Sequence, residues 1–391
     1  MLIGFSILAT IAIGAWYLLY SGETDPDRLF RKAREDLAAK RFDRVDSDLI
    51  QLSKLRPPTS DDRLLRAELY RLTGRDEQAI GELSEIPDRF VNASAVRFAQ
   101  GLLELRLDRA RLAEVALRKA LELDPNKSDA RRELVRIATI QDRLDVVSTQ
   151  FTALSQQKDV SLEFDELYLW TLGRSRTTGP AEYAETLKRW VAADPEDRPS
   201  RLGLASAFRK LGKVDEAEAI LSTLKREANE LSPAERVLAA RVAIDQVDLE
   251  KAHRLLDSAK PGDAEMNLLH GQLYLVQSRP KEALECLRAS LGQRPNDRET
   301  LAALSTTLQR LGKQTEARPI ISKVSCGNIM VLSIEEARIP AQQRSVKRLG
   351  SIATDCEEFG QPDLARAWYR LALKEDPTNA TLQKALFRLA P

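Results

Sequence analysis

From Pro26 onward, apolar residues recur at three- and four-residue steps, in blocks separated by short polar stretches. That spacing puts the apolar side chains on one face of a helix. No run of alternating β-branched residues is long enough to make a strand, so the pattern predicts helix after helix. The stretches "LYRLTGRDEQAIGEL" from Leu69, "AFRKLGKVDEAEAIL" from Ala207 and "TTLQRLGKQTEARPI" from Thr306 share one layout. Each shows a helix, a glycine (Gly74, Gly212, Gly312), a short polar turn, and an alanine five residues after the glycine (Ala79, Ala217, Ala317).

The same layout has a fixed frame. Counting back from Pro125 in "KALELDPN", the frame meets Ala120, Leu117, Ala113 and Gly101; counting back from Pro377 by the same offsets, it meets Ala372, Tyr369, Ala365 and Ala353. "LYLVQSRPKEALECLRASLGQRPND" from Leu273 keeps the frame with Ser278 in the glycine slot, then Ala283, Leu287, Ser290 and Pro295. Units then start near Pro26, Ser60, Ser94, Ser128, Phe164, Arg198, Pro233, Ala264, Arg298 and Val346, and the first four starts are 34 residues apart. A glycine after the first helix supplies the left-handed conformation that ends it. A small residue five positions on lets the second helix lie close, and Asp-Pro stops that helix because proline cannot continue the hydrogen-bond ladder. One such pair cannot bury its apolar face alone, so the units must stack on one another.

This layout resembles the tetratricopeptide repeat family, over about residues 26 to 379. The resemblance implies an all-α, right-handed superhelical solenoid of about ten helix-turn-helix repeats. It also implies a concave surface, lined by the first helices, that holds an extended peptide or a partner's helix. Two features depart from the family. The aromatic residue early in the first helix is mostly missing, and several units lack the terminal proline. One variant of the family clamps a peptide carboxylate with Lys and Asn on consecutive first helices. The corresponding positions here, such as Phe30 and Arg34, Leu64 and Glu68, Phe98 and Leu102, do not supply that set.

The frame sets the domain boundaries. Residues 26–331 read as the repeat array, with one extra residue near Gly179. Residues 332–345 read as an irregular insertion with a short helix, for which Ser333 and Glu336 have capping-box spacing and which ends by Pro340. Residues 346–391 read as the last repeat and a capping helix from Ala380.

Ahead of the array, residues 1–21 contain "MLIGFSILATIAIGAWYLLY", with no charged side chain. Leu2 to Tyr20 would span about 28 Å as a helix, the thickness of a bilayer core. A cleaved signal peptide is the competing reading, but the stretch has no basic start and no small-x-small exit, and Trp16, Tyr17 and Tyr20 sit where interfacial aromatics belong. An uncleaved single-pass anchor is therefore expected. The side of the membrane stays open, because Arg28, Arg31, Lys32 and Arg34 compete with Glu23, Asp25 and Asp27 nearer the span. Ser6, Thr10 and Gly14 recur every fourth residue and place small side chains on one face, which suits helix packing in the membrane and self-association through the anchor.

Composition excludes several classes. The formal net charge is +1 with acids and bases interleaved, so no nucleic-acid partner is expected. An RNA-binding helical repeat would be more basic, with a unit usually about 35 residues long. Cys286, Cys326 and Cys356 are too far apart and too few for a disulfide framework or a metal spacing, and read as packing residues. His253 and His270 are the only histidines, and neither has a sequence partner that would make it a metal ligand or a general base. The Gly-Lys pairs of "KLGKVDEA" and "RLGKQTEA" lack the remaining glycine and the Ser/Thr of a phosphate loop. No catalytic residue, metal or cofactor is expected. The binding residues singled out are Arg131, Arg132 and Arg136 at the head of the fourth first helix. The latter two are spaced to fork around an acidic group, or to form a charged face balanced by Asp129 and Glu133.

The sequence thus points to a membrane-tethered, non-catalytic scaffold for protein partners. The alternative is a regulatory or assembly subunit of a membrane enzyme or export complex, held mainly through its anchor helix.

Overall fold

The computed structural model describes residues 25–157, 160–175, 183–228, 231–257, 263–338 and 345–389. Among them are 21 helices and no strand. The first three units are α1 (Pro26–Ala38) with α2 (Phe42–Leu55), α3 (Ser60–Leu72) with α4 (Asp76–Ser84), and α5 (Ala93–Arg106) with α6 (Ala110–Leu123). Next come α7 (Ser128–Ile140), α8 (Leu144–Ser155), α9 (Phe164–Ser175), α10 (Ala184–Ala193), α11 (Arg198–Lys210) and α12 (Val214–Ala228). They are followed by α13 (Pro233–Asp245), α14 (Leu249–Asp257), α15 (Ala264–Val276), α16 (Pro280–Gln293), α17 (Arg298–Arg310) and α18 (Gln314–Glu336). The last three are α19 (Val346–Glu358), α20 (Pro362–Glu375) and α21 (Ala380–Arg388). Ten first-and-second helix units and a terminal helix result, with α5 starting at Ala93, one residue before the expected Ser94. The chain divides into two compact units, Met1–Ala130 and Arg131–Pro391.

The turn between first and second helices works as its sequence predicts. Gly74, Gly212, Gly312 and Gly360 all have φ between +72° and +84°. Lys40, Asp108, Asp142, Val247 and Ser278 adopt the same left-handed conformation where glycine is absent. The next N–H then reaches back five residues, as Arg75 does to the Tyr70 carbonyl and Gln361 to Cys356, both at 2.8 Å. In the nine units whose turn is described, this closes the first helix with a Schellman bond and satisfies a carbonyl the helix would leave unpaired.

Close approach follows in the same register. The slot alanines Ala79, Ala113, Ala217, Ala283, Ala317 and Ala365 are completely buried. Facing them, a Cβ added to Gly271 would lie 2.5 Å from Leu287 Cγ, so only glycine lets α15 and α16 touch there. Asp-Pro ends the second helix by a visible mechanism. The carboxylates of Asp124, Asp194 and Asp376 each accept the backbone N–H two residues on, folding the chain across the proline. Asp197 and Asn379 then cap the following helices.

The expected short helix in 332–345 is corrected. Residues 332–336 are the continuation of α18, which runs unbroken for 23 residues, so Ser333 lies inside a helix and caps nothing. The reason lies in the frame: proline stands twelve residues after the slot alanine at Pro125 and Pro377, whereas the position twelve after Ala317 is Ile329. Nothing stops the helix there, and Met330, Ile334 and Ala337 bury themselves in the core of the final repeats. Residues 339–344, and the extra residue near Gly179, lie outside the described residues. So do residues 2–20, including Ser6, Thr10 and Gly14. Among the described residues no helix is long and apolar enough to cross a membrane.

Nearest-neighbour stacking is also incomplete as an account of the second unit. Phe164, Leu167 and Trp170 of α9 share one core with Leu364, Trp368 and Tyr369 of α20. The Trp368 indole N–H donates to Thr171 Oγ1 at 3.1 Å, and the Phe164 and Trp368 rings meet edge to face at 5.5 Å. Around this core, Lys374 pairs with Glu163 at 2.6 Å, Arg370 donates to the Ser155 carbonyl, and the Tyr168 hydroxyl donates to Glu335 at 3.0 Å. The fifth first helix is thereby clamped against the ninth and tenth repeats. The chain has few aromatics, and it concentrates them where this long-range contact needs large rigid apolar surfaces.

Candidate functional site

The first helices are the expected recognition elements, and the two units furnish them differently. In the first unit, Phe30, Leu64 and Phe98 stand 34 residues apart on α1, α3 and α5, and each is half-buried. Phe30 and Leu64 pack against the core clusters of their units, and Lys127 Nζ stands 5.4 Å from the Phe98 ring centre. Leu102, one turn beyond Phe98, is also half-buried, and Arg34 is exposed.

In the second unit the first helices carry charge, and the charge is spent internally. Arg198 of α11 makes a bidentate pair with Glu235 of α13, Nε to Oε1 at 3.1 Å and the terminal nitrogen to Oε2 at 2.9 Å. Arg241 of α13 reaches both Glu265 of α15, at 2.6 Å, and Glu299 of α17, at 2.8 Å. Gln272 adds a 2.7 Å bond to Glu299, and Arg294 a 2.8 Å pair to Glu265. Burial pushes the Arg241 guanidinium down, but the hydrogen bonds and charges of Glu299 and Glu265 outweigh it and hold it above its ordinary value. Three consecutive repeats are thus tied by one partly buried network, in which every charge has a partner of opposite sign.

The arginines singled out from the sequence fall at the start of this second unit. Arg131 donates to Gln150 Oε1 at 2.9 Å, Arg132 pairs with Glu166 at 2.5 Å, and Arg136 pairs with Glu133 at 2.7 Å. The structure does not bring Arg132 and Arg136 together on one acceptor. Arg136 takes the balanced-face arrangement with Glu133, and Arg132 instead braces α7 against the residues around α9. Cys356 is completely buried, and burial raises its thiol well above the usual range; Cys286 and Cys326 are half-buried. Cys356 and Cys326 pack in the core of the final repeats.

The two histidines of the chain meet in space. His253 and His270 have no metal-ligand spacing along the chain, yet α14 and α15 bring them together with Asp257, one ligand-capable atom of each lying within 4.8 Å of the others. Burial lowers the pKa of His270, with Asp257 opposing the shift. Sequence spacing missed this group because its second histidine comes from the next helix. Histidine scarcity was the available signal, since both histidines of the chain are in it.

A family model described as a tetratricopeptide repeat matches residues 179–232 and 237–321. The match supports the repeat reading over those residues. No curated protein matches the sequence. Among solved structures, the Cut9-Hcn1 hetero-tetramer of the APC/C is 14% identical, with 100% of this chain and 94% of that chain covered and a TM-score of 0.38. A human IFIT1 dimer with m7Gppp-AAAA is also 14% identical, covering 93% of this chain and 81% of that one, with a TM-score of 0.39. A tetratricopeptide repeat protein from Parabacteroides merdae is 14% identical over 64% of this chain and 98% of that chain, with a TM-score of 0.34.

Proposed function

We propose that the protein is a membrane-tethered, non-catalytic scaffold that holds a protein partner on the first helices of its first unit. Residues 2–20 serve as the tether, on the strength of their length and lack of charge. The observation that carries the reading is the ladder Phe30, Leu64 and Phe98. One half-exposed apolar side chain per repeat, at 34-residue spacing, suits an apolar segment of a partner laid across consecutive helices. The internally satisfied charges of the second unit suit a rigid support rather than a second docking face. Interfaces of this kind draw most of their energy from a few aromatic and aliphatic anchors.

A photo-reactive amino acid placed at Leu64 or at Phe98 in the full chain, in its native membrane, tests this reading. The same partner protein is expected to cross-link from both positions and not from Val115, an exposed residue of second helix α6. Cross-links absent from both ladder positions, or equally strong from Val115, would contradict it. The second reading, a subunit held by its anchor, draws on the four-residue recurrence of Ser6, Thr10 and Gly14, which suits packing against another membrane helix.

A further inference from the structure

His253 lies in α14 and His270 in α15, and Asp257 stands four residues beyond His253, one turn on along the same helix face. His270 Nε2 is 4.0 Å from Asp257 Oδ1, and one donor atom of each of the three residues lies within 4.8 Å of the other two. We propose that His253, Asp257 and His270 bind a divalent transition-metal ion of the zinc class, bridging the seventh and eighth repeats.

The donor set selects the ion. Two imidazoles and one carboxylate suit zinc and its borderline neighbours, whereas calcium and magnesium prefer all-oxygen shells. In a tetrahedral site with bonds of about 2.0 to 2.1 Å, neighbouring donor atoms stand roughly 3.3 Å apart. The three donors therefore need to close by about 1 Å. Asp257 is the last residue of α14 and its side chain is 69% exposed, so it has room to make that movement. Its exposure also leaves solvent to supply the fourth ligand, the three-protein-ligand arrangement of an open zinc site.

The surroundings suit ligand histidines. Gln277 Nε2 lies 2.8 Å from His253 Nε2, while the Gln277 Oε1 atom is buried and without a hydrogen-bond partner. Turning that amide by half a revolution sets Oε1 against a ring N–H. The amide then holds that ring nitrogen, and the other ring nitrogen keeps its lone pair for a metal, the role that outer-shell groups play around ligand histidines. The Tyr274 ring stacks on His270 at 6.2 Å and stands 6.0 Å from His253, limiting the rotation of both rings. A pair of packing histidines needs no carboxylate one turn away. Metal binding here would clip the short helix α14 to α15.

The test uses the full-length protein in detergent, stripped with chelator and titrated with Co(II) as a coloured probe. One equivalent is expected to bind saturably, giving visible d–d absorption that Zn(II) displaces. Binding should weaken at least tenfold in His253→Gln, in His270→Gln and in Asp257→Asn, and Zn(II) should raise the unfolding temperature of the native chain but not of the variants. Asp257 is exposed, so Asp257→Asn keeps the test intact if a histidine variant does not fold. No saturable uptake by the native chain, or undiminished uptake by Asp257→Asn, would overturn the assignment.

Discussion

Val247 sits in the turn between α13 and α14 with φ +61°, in the slot that four other units fill with glycine. A β-branched side chain is strained in that conformation, at a cost of about 1 to 2 kcal/mol. The residue is exposed, so no packing compensates. Val247→Gly is therefore expected to stabilise the chain by about 1 kcal/mol after glycine's extra unfolded-state entropy is counted. A higher urea midpoint with an unchanged slope would show it, and a lower midpoint would mean that the strain is not there. At this scale the sequence was most legible. The turn glycines, slot alanines and Asp-Pro stops each announced their role through a repeated offset, because each role depends on one residue's backbone or volume. Val247 was missed because a residue forced into the slot by its neighbours carries no such mark.

At the scale of elements, local pattern predicts where a helix runs but not what it meets far along the chain. Ile329 in the proline position already implied that α18 would continue, and the capping-box spacing of Ser333 and Glu336 competed with that signal and lost. The clamp of α9 on α18 and α20 had no periodic signature at all. Its markers were aromatic residues in "FDELYLW" and "AWY", and composition alone does not pair them. The clamp has a chemical handle in Tyr168, whose hydroxyl is pushed up to about 12 by burial first and then by Glu335. A folded pKa above the unfolded value of about 10 means the folded state holds this proton more tightly. Its contribution is complete below pH 10 and is lost as pH rises through the folded value, so the window lies between about 10 and 12. Tyr168→Phe should unfold at lower urea than the native chain near about pH 8, and the gap should narrow near about pH 11. A gap independent of pH would separate the hydroxyl from the stability of the clamp.

For the whole molecule, the near-zero net charge, interleaved acids and bases, and repeat register were readable, and they carried the expectation of an all-helical repeat without catalytic motifs. The site was only half legible. The ladder positions were visible as unit equivalents, whereas Arg131, Arg132 and Arg136 proved to be braced by Gln150, Glu166 and Glu133, partners that local charge counting only partly foresees. The histidine group was invisible because its members meet only after α14 and α15 pack.

In the proposed function, recognition belongs to the first helices of the repeat body and residues 1–21 only locate it. The most direct measurement compares the partner identified by proximity labelling of the full chain with what a chain lacking residues 1–21 captures in solution, with and without Leu64→Glu and Phe98→Glu. The truncated chain is expected to retain the same partner, and the two glutamates are expected to abolish its capture. Loss of the partner on truncation, with capture by the full chain unaffected by the two glutamates, would contradict it and make the anchor the binding element.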